Sequence, residues 1–132
     1  MKLKTLLVPQ KKVSREEALK ASLSYFDNDE LAVTVWINKY ALKDSDGNLY
    51  EKSPKDMHQR IASEIARIEQ KYKNPLSEEE IFSVINNFQY IVPQGSPMAG
   101  IGNPFQISSL SNCFVIGNPE NSSDSYGGIM KV

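Results

Sequence analysis

The sequence is poor in the residues that most often carry chemistry. It holds one cysteine and one histidine. A single cysteine excludes a disulfide within the chain, though not one to a cysteine elsewhere. One histidine and one cysteine at unrelated positions build no Cys/His metal cluster. No apolar run approaches the roughly 20 residues that a membrane-spanning helix needs. The short apolar stretch Leu6 to Val8 is followed at once by Lys11 and Lys12 and is too short for a signal-peptide core. Neither sign of charge is in excess: 15 basic residues face 16 acidic ones, a net charge of −1. Without a strong field, neither nucleic acid nor an anionic membrane is an expected partner. Internal repeats and low-complexity tracts are absent. The expected location is cytoplasmic.

What is present reads as one modest domain of 132 residues, opened by Met1 as a native amino terminus would be. Residues 1 to 12 form a basic lead expected to be loosely ordered. Ser14 and Glu17 make a capping box that starts a helix carrying Ala18, Leu19, Ala21, Leu23 and Tyr25. Asp27-Asn28-Asp29 offers a second cap. The stretch Leu31 to Ile37 is β-branched like a strand but sits between an acidic cap and Lys39, which favours a helix. Asp44 to Asn48 is a turn by composition. Ser53, Pro54 and Asp56 announce a helix over 54 to 72, with Met57, Ile61, Ile65 and Ile68 on one face. Ser77 and Glu80 form another capping box, before a short amphipathic helix with Ile81, Phe82, Ile85 and Phe88.

The character changes near Tyr90. PQGSPMAGIGNP, from Pro93 to Pro104, reads as a loop in which glycine permits close backbone approach to a ligand. LSNCFVI, from Leu110 to Ile116, has the look of a buried strand, and a polar turn region runs from Gly117 to Ser125. The organisation is therefore a helical region over 1–90 and a second region over 91–132. A lone strand cannot satisfy its own backbone hydrogen bonds. The second region thus reads as the truncated start of a larger unit.

Few residues stand out as site candidates. Cys113 lies in an apolar run, which suits a buried structural cysteine. It also suits a redox or nucleophilic thiol at a strand end beside Ser111 and Asn112. Ser96, in Gln94-Gly95-Ser96-Pro97, fits an ordinary turn or a loop whose hydroxyl and amides hold a phosphate. No Gly-Lys-Ser/Thr follows, so this is not a P-loop. His58 reads as a surface residue. Glu78, Glu79 and Glu80 read as cap and dipole partners in a first helical turn. Asp124, with Ser125 before Gly127-Gly128, fits a helix cap or a carboxylate that accepts hydrogen bonds from a ribose.

Taken in order, FQYIVPQGSPMAGIGN, QISSLSNCFVI and DSYGGI resemble the large subunits of ribonucleotide reductases. Upstream, WINKYALKDSDGNLYEKSPKDMHQRIASEIARIE resembles the same family, so the likeness covers most of the chain from about Ser14. It implies an α/β fold: a mainly helical amino-terminal region leading into the first strand of a ten-stranded α/β barrel. It implies reduction of ribonucleotides to deoxyribonucleotides by radical chemistry, which this piece alone would not perform. Cys113 would be one of two redox-active cysteines that deliver electrons to the substrate ribose and close to a disulfide. Ser96 and Asn112 would line the substrate site with Cys113, Ser96 near the phosphates. Asp124 and Ser125 would belong to an effector site for a deoxynucleoside triphosphate or ATP.

The resemblance further implies a ribonucleoside diphosphate substrate, a thioredoxin- or glutaredoxin-type reductant and a homodimer in the full-length enzyme. The radical cysteine and the second redox cysteine would lie beyond Val132. The stretch before Ser14 is too short for a full ATP-cone domain, so overall-activity control by dATP is not an expectation. The wording GSPMAGIGN is closer to adenosylcobalamin-dependent reductases. The alternative radical source is a small subunit with a dinuclear metal site. The rival reading is a non-enzymatic helical interaction module with a flexible carboxyl-terminal arm.

Overall fold

A computed structural model describes residues 11–111 and Cys113. Five α-helices follow one another: α1 (Arg15–Tyr25), α2 (Glu30–Lys39), α3 (Pro54–Glu69), α4 (Glu78–Ile85) and, after a single 3-10 turn at Asn86–Phe88, α5 (Gly95–Gly100). Local capping decides where three of them begin. The Ser14 hydroxyl accepts from Glu17 N at 3.1 Å, and the Glu17 carboxylate accepts from Ser14 N at 3.0 Å. Ser77 and Glu80 repeat that reciprocal pair at α4, at 3.2 and 2.8 Å. Asp29 caps α2 through Ala32 N at 2.9 Å. Each box satisfies amides that would otherwise lack partners at the helix start.

The β-branched stretch after Asp29 settles as a helix, as its flanking signals predict. Val33, Trp36 and Ile37 are buried at spacings of three and four, a helical stripe. Asp27 and Asn28 take left-handed backbone, φ 50° and 67°, to turn the chain between α1 and α2. Asp and Asn tolerate this region better than most residues.

The expected turn after α2 is organised by Asp44. Its carboxylate accepts from the backbone amides of Asp46 and Asn48 at 3.0 and 2.9 Å, and from the Tyr50 hydroxyl at 2.9 Å. Isolated antiparallel bridges, Val13 to Leu49 and Lys43 to Leu49, tie this loop to the start of the chain. No longer strand occurs among the described residues.

Helix α3 differs from the expectation at both ends. Pro54 does occupy the first turn, but the Ser53 side chain makes no capping bond. Asp56, in the first turn, instead accepts from Lys52 N, just before the helix, at 2.8 Å. The helix ends at Glu69, short of residue 72. Met57 and Ile61 are fully buried and Ile65 packs at the edge of the core, as the spacing predicts.

Helix α3 packs on α4, and α1 packs on α2. Ala18, Val33, Trp36, Ile37, Met57, Ile61, Ala62, Ile81 and Ile85 form the shared core. His58 is a correction. Expected at the surface, it is fully buried. It stands three and four residues before Ile61 and Ala62, on the buried stripe itself.

The second correction concerns the Gly/Pro-rich segment. The expected loop contains α5, one short turn of helix. Proline is compatible with a first turn because its missing N–H would find no helical acceptor there. Pro97 stands in that first turn. Leu110, Ser111 and Cys113, where a buried strand is expected to begin, are exposed and outside any strand. The remainder of that strand, the lead over 1–10 and the polar turn region after Gly117 lie outside the described residues.

Candidate functional site

Helix α5 carries Ser96 over a cleft of about 440 Å³. The opposite wall comes from the end of α2 and the chain after it: Asn38, Lys39, Tyr40 and Lys43. Gly95 permits this approach. A Cβ there would meet the Tyr40 ring at 3.3 Å, tighter than ordinary van der Waals contact. Asn103, Ser108 and Ser109 close the remaining side.

The cleft is cationic on one wall and hydroxyl- and amide-rich on the other. Lys43 Nζ donates to Asn38 O at 2.8 Å, and Arg15 donates to Asn38 Oδ1 at 3.4 Å. Burial lowers the Lys43 amino group from its usual value, and the positive charge of Arg15 adds to the effect. Among the described residues the ion pairs are Arg60–Glu51 and Arg67–Glu64, so neither Lys39 nor Lys43 is paired with a carboxylate. Lysines opposite hydroxyls suit an anionic oxygen ligand such as a phosphate.

The cleft's α5 wall is held from behind by a residue that the sequence did not single out. Arg60 on α3 donates through one terminal nitrogen to Met98 O at 2.9 Å and through the other to Ile101 O. Its Nε donates to Glu51 Oε1 at 2.7 Å. Glu51 is 3% exposed, and its other oxygen accepts from Leu42 N at 2.8 Å. Burial pushes the Glu51 carboxyl up, and the Arg60 charge pulls it back. Gly102 lies directly on this arginine. A Cβ there would sit 2.9 Å from Arg60 Cγ and 3.2 Å from Arg60 O, and its φ of +69° is itself costly for any other residue.

Asn103 fixes the exit from α5. Its Oδ1 accepts from Phe105 N at 2.9 Å, and its Nδ2 donates to Ala99 O at 3.2 Å. Phe105 then stacks against Tyr50, ring centroids 4.7 Å apart, close to the Asp44 turn. The segment that composition marks as a loop is thus tied to α3 and to the loop after α2.

His58 makes no part of this cleft. It is packed edge-on to Phe88 at 4.6 Å and lies 6.5 Å from Tyr25. Neither ring nitrogen has a hydrogen-bond partner among the described residues. Burial lowers its pKa to about 4, which keeps the ring neutral near pH 7. Cys113 is exposed. Of the other expected site residues, Asn112, Asp124 and Ser125 lie outside the described residues. The structure therefore brings Ser96 together with Lys39 and Lys43.

Among the described residues no group of three or more His, Cys, Asp and Glu side chains could hold a metal ion. The single histidine is closed off. No helix among them is long and apolar enough to cross a membrane.

Compared with known protein families, residues 26–104 match the model of the family described as "Ribonucleotide reductase, all-alpha domain". The match runs from the end of α1 through α5. No curated protein and no solved structure gives a significant match.

Proposed function

Because this chain belongs to the ribonucleotide reductase all-alpha domain family, we propose that it is the amino-terminal part of a reductase large subunit. It works there in the conversion of ribonucleotides to deoxyribonucleotides. The family match over residues 26–104 carries this reading. The cleft supports it, because Ser96 and two lysines without carboxylate partners suit the phosphates of a nucleotide.

In this reading the helical domain is a platform. Helices α2 and α5 present the phosphate-binding wall, and the chain leaving α5 through Asn103 leads to Cys113. Cys113 supplies one of two thiols. The pair gives two electrons and two protons, the ribose loses a hydroxyl as water, and the thiols close to a disulfide. A thioredoxin- or glutaredoxin-type dithiol protein then restores them by exchange. Asp124 and Ser125 contribute to an effector site for a deoxynucleoside triphosphate or ATP, and the enzyme works as a homodimer. The radical source is adenosylcobalamin, with a small subunit bearing a dinuclear metal site as the alternative. Either would be held by residues other than those described.

The test is Cys113→Ser in the reductase polypeptide that contains these residues. Multiple turnover with a dithiol protein as reductant is expected to disappear while the melting temperature stays within about 2 °C, since an exposed side chain contributes little packing. Undiminished multiple turnover would remove Cys113 from the redox pair.

A further inference from the structure

We propose that Arg60 is a positioning residue for substrate binding: through the backbone of α5 it sets the place of Ser96 in the cleft. The inference rests on the phosphate-binding reading of Ser96 and goes beyond it, because Arg60 does not line the cleft.

Helix α5 has little to hold it in place by itself. It spans only Gly95–Gly100, and none of its residues is fully buried. So short a helix is marginal without tertiary support. Met98 and Ile101 pack against the core and Asn103 holds Ala99 O, and one side chain grips two of the segment's carbonyls at once. Arg60 holds both Met98 O, inside α5, and Ile101 O, just past its end, with the two terminal nitrogens of one guanidinium. A planar fork reaching two carbonyls fixes orientation as well as distance. Arg60 is fixed in turn. Glu51 takes its Nε at 2.7 Å, the two side chains are 10% and 4% exposed, and Glu51 is anchored to Leu42 N. Gly102 brings the following turn against the arginine stem. The chain from Leu42 through Glu51 and Arg60 to Met98 and Ile101 thus spans the two walls of the cleft. Leu42 sits between Ala41 and Lys43 on one wall, and Met98 sits two residues from Ser96 on the other.

Arginine is required here, not merely positive charge. Lysine at position 60 would keep the attraction to Glu51 but offers a single ammonium that cannot hold two carbonyls and a carboxylate in one plane. Arg60→Lys, Ser96→Ala and the double variant are compared in the reductase polypeptide, with its ribonucleotide substrate and the melting temperature as control. Ser96→Ala is expected to raise KM about tenfold, the loss of one charge-assisted hydrogen bond, with kcat changed less than about twofold. Arg60→Lys is expected to raise KM to a similar degree. The double variant is expected to match Ser96→Ala alone, because Arg60 acts through that hydroxyl. Should Arg60→Lys lower the melting temperature enough to obscure the kinetics, Glu51→Gln serves instead, since it keeps the side-chain volume and loosens the same guanidinium.

The outcomes separate. If Ser96→Ala leaves KM unchanged, the phosphate-binding reading fails and this inference falls with it. If Ser96→Ala raises KM while both Arg60→Lys and Glu51→Gln leave it unchanged, the reading stands and the positioning role is overturned. If the double variant shows the product of the two single effects, Arg60 does not act through Ser96 and the inference is equally overturned.

Discussion

His58 shows how one side chain can govern the pH response of a helical domain. Buried with a pKa of about 4 against an ordinary value near 6.5, it binds fewer protons in the folded state than in the unfolded state. Its neutral form is accommodated above pH 6.5. Stability is expected to fall as the pH drops from there towards 4, by about 3 kcal/mol in all. Urea unfolding at pH 7 and at pH 4 measures this, and His58→Met is expected to flatten the fall. An equal fall in the variant would assign the effect elsewhere. Asp44 acts in a lower window. Its carboxyl is held at about 2, chiefly by the Asn48 side chain. What it contributes is present above about pH 4 and lost as the pH falls through 2. The caps at Ser14, Asp29 and Ser77 were legible because each is a local event within four residues, whereas Ser53 makes no capping bond. The burial of His58 was legible too, from its spacing to Ile61 and Ala62, but residue type outweighed position in the reading. Arg60 was not legible. Its partners are backbone carbonyls 38 and 41 residues away, and no side-chain pattern reports such a contact.

Among the elements, α3 follows from sequence periodicity and Pro54 in its first turn, α4 from periodicity and its capping box, and α5 from neither. A six-residue helix of glycine, serine, proline, methionine and alanine carries no amphipathic repeat. Its existence depends on what packs behind it. Gly102 is where that dependence is sharpest. Gly102→Ala is expected to cost about 2 kcal/mol or more, from a left-handed backbone and a contact with Arg60 that cannot relax freely. Denaturant unfolding reads the loss, and a change under about 0.5 kcal/mol would contradict the described packing. For α4, Ser77→Ala removes the acceptor for Glu80 N and half of the capping box. The expected cost is about 1 kcal/mol by the same measurement.

For the whole molecule, the core is one cluster to which α1 to α4 all contribute. Ile61→Ala at its centre is expected to cost about 2–5 kcal/mol, the usual range for an aliphatic truncation in a packed site. Calorimetry of the chain checks it. The helices between Arg15 and Ile85 were legible because amphipathic spacing and caps are encoded in neighbouring residues. The strand expected over 110–116 rests on an apolar run, a weaker signal, since a run that short does not identify what it pairs with, and its place in a barrel rests on the resemblance alone. The family match reaches residue 104, so it covers α5 and the cleft wall from Asn38 to Lys43 but not Ser108 and Ser109, and the role proposed for Cys113 rests on resemblance in the segment after it.

The proposal for Cys113 is that its thiol is oxidised and regenerated in each catalytic cycle. Pre-reduced reductase containing this chain is freed of external reductant, given substrate for one turnover, and alkylated under denaturing conditions. Peptide mass spectrometry then compares product formed with Cys113 left unlabelled. The account predicts one disulfide-bonded Cys113 for each deoxyribonucleotide made. Full product with Cys113 still wholly alkylated would contradict it.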